Sequence, residues 1–242
     1  MYTLGLIGNK LGHSWSQQWF EAMFRREGIC GASYSLFELP NLNDIRSWAA
    51  EKKLDGFNVT IPYKQDIIPF LDELDPTVSA IGAANCIEIR QQRLIGHNTD
   101  APAFLQTLQP LLRPCHSQAL VLGSGGASKA VSFALHQLGI SHIVVSRHPE
   151  NGNNTIGYDQ AANLANSHLL IINTTPVGMW PNTESSPWPH PHLLTPQHLC
   201  YDLIYNPKET RFLIEARQQG AATQNGLAML HRQAELSWEH WK

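Results

Sequence analysis

The feature of this sequence that most constrains its fold is the alternation of short apolar runs with segments of helical periodicity. Apolar runs of strand length recur along the first hundred residues, and the segments between them place large apolar side chains at helical spacing, as in residues 14–27. This alternation is typical of an α/β fold. In the first part of the chain, strands are predicted at Leu4–Gly8, Tyr34–Leu39 and Phe57–Thr60, and helices at 14–27 and 42–53. Pro62 then predicts the first turn of another helix, because its missing N–H is not needed there.

A second α/β unit is predicted from Gln118 onwards. A hairpin around Gln91-Gln92 and a helix over 101–113 precede it. The stretch 176–196 carries six prolines and is predicted to be mostly loop. The elements predicted for this unit are strands at 119–122, 143–145, 169–172 and 200–204 and helices at 126–138, 209–219 and 226–241. The 242 residues therefore divide into two small units, with the boundary predicted in helix 101–113.

The composition excludes several classes of protein. With 43% apolar and 15% charged residues the chain is not disordered, and a net charge of −3 argues against nucleic-acid binding. The 12 histidines form no metal-ligand spacing, so no metal is expected. The N-terminus does not resemble a signal peptide, and no apolar run approaches the roughly 18 residues of a membrane span. With four cysteines in no disulfide-like pattern, a cytoplasmic protein without membrane contact is expected.

A glycine-rich turn joins a predicted buried strand to a predicted helix at residues 123–128. That context is the one required for a dinucleotide fingerprint, in which the backbone approaches a pyrophosphate and the helix N-terminus supplies free N–H groups. Ser128 stands where the third glycine would be, and its small side chain still permits close packing of helix and strand. An ordinary tight turn is the alternative.

The end of the next strand indicates which cofactor is bound. An NAD site places Asp or Glu about 20 residues after the glycines, whereas this sequence has Ser146-Arg147-His148 there. A guanidinium suits a 2′-phosphate, so NADP is predicted over NAD. The alternative is that Arg147 is simply solvated.

Polar clusters interrupt the apolar pattern of the first unit. Ser14 and Ser16 open a helix, where hydroxyls bind a carboxylate or merely cap the helix. Lys64, predicted in a first helical turn, is disfavoured there by the helix dipole and so indicates a specific role, with plain exposure as the alternative. Asp100 is a candidate functional carboxylate or only a helix N-cap.

Taken together, these clusters resemble the shikimate dehydrogenase family, whose motifs occur in order across nearly the whole chain. The matching segments are Gly8 to Ser16, Asn58 to Lys64, Gly82 to Asn85, Asn98-Thr99-Asp100, Gly123 to Ser128, Asn173 to Met179, Asp202 to Thr210, Gly220, Gly226 to Leu230 and Gln233-Ala234. So many separated motifs in the correct order are specific.

The resemblance implies an N-terminal α/β substrate domain and a Rossmann-like NADP-binding domain with a cleft between them. The expected domains are 1–100, with helix 226–242 packing back on it, and 101–225. The implied reaction is the reversible reduction of 3-dehydroshikimate to shikimate with NADPH, a step of aromatic amino-acid biosynthesis. The small-molecule substrate is the expected partner, and the protein is expected to be a monomer or homodimer.

The resemblance also implies a role for individual residues of the site. Lys64 and Asp100 match the catalytic pair. The substrate-binding residues would be Ser14, Ser16, Thr60, Asn85, Asp100, Tyr205 and Gln233. The cofactor-binding residues would be Gly123, Ser124, Gly125, Gly126, Ala127, Ser146, Arg147, Leu203 and Gly226.

Several departures from the family pattern leave alternatives open. The family commonly has Pro where Lys10 and Gln17 stand, Thr where Cys86 stands, and a second Arg near Asn151. These departures concern mainly the choice between NADP and NAD. A quinate/shikimate dehydrogenase that uses NAD or both cofactors, which shares the scaffold and the Lys/Asp pair, is the nearest rival. A catalytically silent binding protein of the same fold is the other. Only 25 residues separate Arg147 from Asn173, so the intervening helix is predicted to be short, near Tyr158 to Ala165.

Overall fold

The chain contains two compact α/β units. A computed structural model describes residues 2–12, 15–149 and 154–242. The first unit comprises Met1–Asp100 together with Gln233–Lys242, and the second comprises Ala101–Arg232. The C-terminal helix thus begins in the second unit and ends in the first.

The first unit contains a six-stranded mixed sheet. Its strands are β1 (Tyr2–Gly8), β2 (Ala32–Glu38), β3 (Gly56–Val59), β4 (Glu73–Leu74), β5 (Cys86–Arg90) and β6 (Arg93–His97). They are ordered β2-β1-β3-β5-β6-β4, with β1 parallel to both its neighbours and β5 antiparallel to β3 and β6. The helices are α1 (Trp15–Arg26), α2 (Ile45–Glu51) and α3 (Pro76–Ile81).

A buried core lies on each face of this sheet, so β3 and the second half of β1, near its centre, are buried on both sides. One core packs Ile7, Phe57 and Ile87 against helix α2 and the segment after β3. The other packs Leu4 and Phe20 against residues of the C-terminal helix, including Trp241. The carboxyl ends of β1 and β3 are fixed by these two cores.

The second unit contains a six-stranded parallel sheet. Its strands are β7 (Gln118–Leu122), β8 (Ser141–Val145), β9 (Thr155–Ile156), β10 (Leu170–Asn173), β11 (Leu199–Asp202) and β12 (Ala222–Gln224). The order β12-β11-β10-β7-β8-β9 is that of a doubly wound dinucleotide-binding fold, with the first strand, β7, in the centre. The helices are α4 (Asp100–Leu108, its first residue in the first unit), α5 (Gly126–Gln137), α6 (Tyr158–Leu164), α7 (Arg211–Gln218) and α8 (Leu227–Trp241).

Several predicted elements are confirmed. The hairpin of β5 and β6 turns at Gln91 and Gln92, both with positive φ, as a two-residue hairpin turn requires. Helix α6 is as short as the spacing predicts. The stretch 176–196 is loop apart from one 3-10 turn at Pro191–Leu193.

One predicted helix is wrong, and another is shorter than predicted. No α-helix begins at Pro62: residues 61–67 form consecutive turns, followed by a 3-10 helix at Ile68–Phe70. Pro69 explains this, because a proline in that position lacks the N–H that a helix interior needs. Likewise the helix predicted over 101–113 ends at Leu108, since Pro110 follows in a 3-10 turn.

Candidate functional site

In the first unit, the segments after β3 and β6 place a lysine and a carboxylate in direct contact. Lys64 Nζ donates to Asp100 Oδ2 at 2.7 Å, and the two side chains are 20% and 11% exposed. Lys64 lies in the turns after β3 and is not in a helix; its carbonyl accepts from Ala84 N at 2.8 Å. A largely buried ammonium held by one carboxylate keeps its remaining N–H groups for another oxygen.

Asn85 fixes the orientation of the Asp100 carboxylate. Its Nδ2 donates to Asp100 Oδ1 at 3.0 Å and to Thr99 Oγ1 at 2.9 Å, and its Oδ1 accepts from Thr99 N at 2.7 Å. Asn85 itself is held by its own N–H, which donates to the His97 carbonyl at 3.1 Å. The motifs at 82–85 and 98–100 therefore meet in one hydrogen-bonded unit.

A second group of buried polar residues lies behind this unit. Asn58 Nδ2 donates to the Asn85 carbonyl at 3.0 Å and to Ser237 Oγ at 2.8 Å, and Asn58 Oδ1 accepts from the Tyr34 hydroxyl at 2.8 Å. The Thr99 and Ser237 hydroxyl oxygens are 3.3 Å apart. Each of these side chains is paired, which is what a buried polar group requires.

The remaining predicted substrate residues occupy different places. Ser14 lies outside the described residues. Ser16, on α1, is hydrogen-bonded to the Tyr34 phenol, whose pKa burial raises well above the usual value. Thr60 follows β3, with its N–H donating to the Ile7 carbonyl at 2.9 Å.

Gln233 and Tyr205 belong to different units. Gln233 lies on the part of α8 that belongs to the first unit, and its carbonyl accepts from Ser237 Oγ at 2.8 Å. Tyr205 follows β11 in the second unit and is half-buried.

The glycine turn of the second unit joins β7 to the N-terminus of α5. Gly123 has φ of +102°, and a Cβ there would lie 2.8 Å from the Thr175 side chain. Gly125 is the N-cap of the 12-residue helix α5 and so offers no capping side chain. A Cβ on Gly125 would meet no atom within 4 Å, so the space beside it is open. These features fit an anion approaching the helix N-terminus.

The residues predicted to select the cofactor lie beside this loop. Gly123 N donates to the Val145 carbonyl at 2.8 Å, which places the glycine loop against the end of β8. Ser146 follows directly, and its Oγ accepts from His148 N at 3.2 Å. Arg147 is exposed and electrostatically coupled to Tyr158 at the start of α6. The guanidinium is thus open to a ligand.

A buried carboxylate ties together the ends of β10 and β11. Asp202 accepts from Thr210 Oγ1 at 2.6 Å, from Asn173 Nδ2 at 2.9 Å and from Ile204 N at 3.0 Å. Burial raises its pKa to about 6, although these hydrogen bonds favour the charged form.

The strand ends also bring two predicted cofactor residues together. Leu203 N donates to the Asn173 carbonyl at 3.0 Å, and Gly226 N donates to the Ile204 carbonyl at 3.0 Å. A Cβ on Gly226 would lie 2.0 Å from the Leu203 oxygen, so only glycine permits this approach.

Metal-binding clusters and membrane-spanning helices are absent from the described residues. Among the described residues, no group of three or more His, Cys, Asp or Glu side chains is arranged to hold a metal ion. Within the same part of the chain, no helix is long and apolar enough to cross a membrane.

Sequence reasoning did not assign roles to Tyr34, Thr99 or Ser237. Thr99 lies within a recognised motif, so the motif itself was a signal. Tyr34 lies in an apolar strand and Ser237 on a helix far along the chain, and only tertiary pairing shows that they join the site.

Comparison with known proteins identifies the family to which the chain is similar. A family model described as the shikimate dehydrogenase substrate binding domain matches residues 6–87. The NADP(+)-dependent shikimate dehydrogenase of Symbiobacterium thermophilum is 36% identical over 98% of this chain and 88% of the relative.

Solved structures are similar over the whole chain. The shikimate 5-dehydrogenase of Thermus thermophilus, in complex with NADP(H) and shikimate, is 32% identical with a TM-score of 0.89, covering 100% of this chain and 94% of that one. The quinate dehydrogenase of Corynebacterium glutamicum, in complex with NAD, is 25% identical with a TM-score of 0.88, covering 100% and 93%.

Proposed function

This chain belongs to the shikimate dehydrogenase family, and from that premise we propose that it catalyses the reversible reduction of 3-dehydroshikimate to shikimate with NADPH. The observation that carries the proposal is the Lys64–Asp100 pair, 2.7 Å apart and oriented by Asn85. An ammonium fixed in this way is a general acid for a carbonyl oxygen that gains charge.

NADPH fits the second unit. The pyrophosphate would be held by residues 123–127, where the open space beside Gly125 and the uncapped N-terminus of α5 match an anion. Ser146 and Arg147 would hold the adenosine ribose and its 2′-phosphate. Leu203 and Gly226 would lie beside the nicotinamide. When bound, the cofactor supplies or accepts the hydride.

Lys64 would handle the proton. In reduction, the carbonyl carbon receives the hydride and the carbonyl oxygen gains negative charge, which the Lys64 ammonium stabilises before it transfers a proton to that oxygen. In the reverse direction, the hydroxyl proton passes back to the Lys64 nitrogen as the hydride leaves the ring carbon. Asp100 would keep Lys64 in place and charged, and would itself accept a hydrogen bond from a ring hydroxyl.

The other polar residues would select the substrate. Ser14 and Ser16 would bind the carboxylate. Fixed partners discriminate strongly against a substrate that lacks a hydroxyl, because they are then left unpaired. We assign this role to Thr60, Gln233 and Tyr205. Both amide protons of Asn85 already go to Thr99 and Asp100, so Asn85 would contribute through the remaining acceptor capacity of its Oδ1 and by orienting Asp100.

Shikimate with NADP is favoured over quinate with NAD. The relative that acts on quinate is 25% identical, whereas the NADP-dependent shikimate relative is 36% identical. An exposed Arg147 stands where an NAD site would have a carboxylate, which supports the choice of NADP.

The test is a comparison of kcat/KM for the purified protein with shikimate or quinate, each with NADP⁺ or NAD⁺, followed by the absorbance of the reduced nicotinamide. We expect shikimate with NADP⁺ to be the best combination. Preferred use of quinate with NAD⁺ would overturn the proposal in favour of the rival. Cofactor binding without turnover on either substrate would indicate a silent binding protein.

We further propose a cytoplasmic location, supported by four free cysteines, two of them exposed. The oligomeric state is proposed to be monomer or homodimer, which light scattering on the purified protein would decide.

A further inference from the structure

Ser237 is completely buried, and its position on α8 gives it contacts with two segments of the site. Its Oγ donates to the Gln233 carbonyl at 2.8 Å, four residues earlier on the helix. The same oxygen accepts from Asn58 Nδ2 at 2.8 Å and lies 3.3 Å from Thr99 Oγ1.

The donors and acceptors in this group have a defined direction. Ser237 has one hydroxyl proton, and the Gln233 carbonyl takes it, so the Thr99 hydroxyl is the donor to Ser237. Thr99 Oγ1 then accepts from Asn85 Nδ2, and the second Nδ2 proton goes to Asp100 Oδ1. The sequence of bonds from Asp100 through Asn85, Thr99 and Ser237 therefore ends on the backbone of Gln233.

The Asn85 amide has one orientation, which Thr99 N and the Asp100 carboxylate set and which the Thr99 hydroxyl supports as an acceptor. With Thr99 Oγ1 as an acceptor on one side and Thr99 N as a donor on the other, only one orientation of the amide satisfies both groups. That orientation presents an N–H to the carboxylate that holds Lys64. Asn58 supports it by donating to the Asn85 carbonyl and to Ser237.

We infer that Ser237 is a positioning residue for the Lys64–Asp100 pair, acting through Thr99 and Asn85. It ties the helix that carries Gln233 to the carboxylate that orients the proton donor. The inference rests on the proposed function for its kinetic consequences and on the hydrogen bonds alone for its geometry.

Ser237→Ala is the direct test. Without its Oγ, the Thr99 hydroxyl and one Asn58 N–H lose their acceptor, so the Thr99 side chain, which accepts from Asn85 Nδ2, is held less firmly beside the amide that orients Asp100. We expect kcat for shikimate oxidation to fall about fivefold to tenfold, the effect of one lost hydrogen bond, with an unchanged KM for NADP⁺. An unchanged kcat would overturn the inference. Ser237→Thr, which keeps the hydroxyl, should restore kcat.

Thr107→Val is the matched control. Thr107 is also a helix hydroxyl that donates to the carbonyl four residues earlier and contacts a second hydroxyl, that of Tyr201, but it lies in the second unit. We expect it to lower the Tm while leaving kcat unchanged. An equal loss of kcat in both variants would mean that Ser237 acts only through general stability.

A double-mutant cycle tests the route. If Ser237 acts through Thr99, the kcat losses of Ser237→Ala and Thr99→Val are not multiplied in the double variant. Multiplied losses would contradict that route.

One measurement does not depend on activity. In ¹⁵N-labelled protein, Ser237→Ala should shift the side-chain amide signals of Asn85, and Thr107→Val should not. Unshifted Asn85 signals would overturn the inference even if the wild type proved inactive on shikimate. Such inactivity, accompanied by the expected shift, would count against the proposed function alone.

Discussion

Among individual side chains, Lys64 shows most clearly how chemistry depends on a few contacts. The residue lies in a series of turns after β3, where the dipole of a helix does not oppose its charge. Its ammonium is held by Asp100, and the side chain is only 20% exposed. Its position is therefore explained by the contact with Asp100 and not by helical propensity.

Replacing Lys64 by Ala should abolish turnover while leaving the fold intact. The substitution removes the proposed proton donor, so kcat should fall by about 10²-fold to 10⁴-fold, the usual contribution of a general acid. Circular dichroism and NADPH binding should be unchanged. Lys52→Ala, at an exposed lysine, is the matched control and should retain full activity. Near-normal kcat in the Lys64 variant would remove this residue from the mechanism.

Asp202 should make stability depend on pH. Its folded pKa of about 6 lies above the ordinary value of 3.8, so the folded state binds the proton more tightly. The resulting stabilisation is present below the unfolded pKa and is lost as pH rises through 6. By pH 7 the free energy of unfolding is lower by about 3 kcal/mol than at a pH where Asp202 is protonated in both the folded and the unfolded state.

Asp202→Asn tests this dependence. The difference in free energy of unfolding between the variant and the wild type should shift by about 1 kcal/mol in favour of the variant between pH 5 and 7.5. Urea unfolding at the two pH values measures it. A difference that does not change with pH would show that the Asp202 pKa is not raised.

Among the helices and strands, patterns within a single segment could be predicted, and pairings between distant segments could not. The two-residue hairpin turn and the short helix α6 follow from local sequence. Strands β4, β9 and β12 were not predicted, because each has only two or three residues and is defined by its pairing with a distant strand.

The candidate site likewise combines residues that the sequence could predict with residues that only the folded structure identifies. The motifs identify Lys64, Asn85 and Asp100, because their segments are recognisable in the sequence. The supporting contacts of Tyr34 and Ser237 join positions far apart in the chain, which no local pattern records.

The start of α8 has the tightest backbone approach at a proposed cofactor residue. Gly226→Ala would place a Cβ 2.0 Å from the Leu203 oxygen, so the strand end or the helix must move. We expect KM for NADP⁺ to rise about tenfold, within the usual cost of overpacking. Gly157→Ala is the control, because its Cβ would meet no atom within 4 Å. If Gly226→Ala and Gly157→Ala had the same KM for NADP⁺, the close contact between Gly226 and the Leu203 oxygen would have no role in cofactor binding.

For the molecule as a whole, the 242 residues divide into two small α/β units. Each unit has its own six-stranded sheet, and the connection from β8 to β10 is short. The negative net charge of −3 is compatible with anionic ligands, because the proposed contacts are local: Arg147, Lys64, Ser14, Ser16 and the N-terminus of α5. The cleft between the units stays a prediction of the family resemblance.

The central claim is that hydride passes directly from the cofactor to the carbonyl carbon of 3-dehydroshikimate. It is tested most directly by incubating the protein with 3-dehydroshikimate and NADPH that carries deuterium at the transferable position. We predict shikimate with a single deuterium on the carbon that carried the ketone. Shikimate without deuterium, or no consumption of NADPH, would contradict the account.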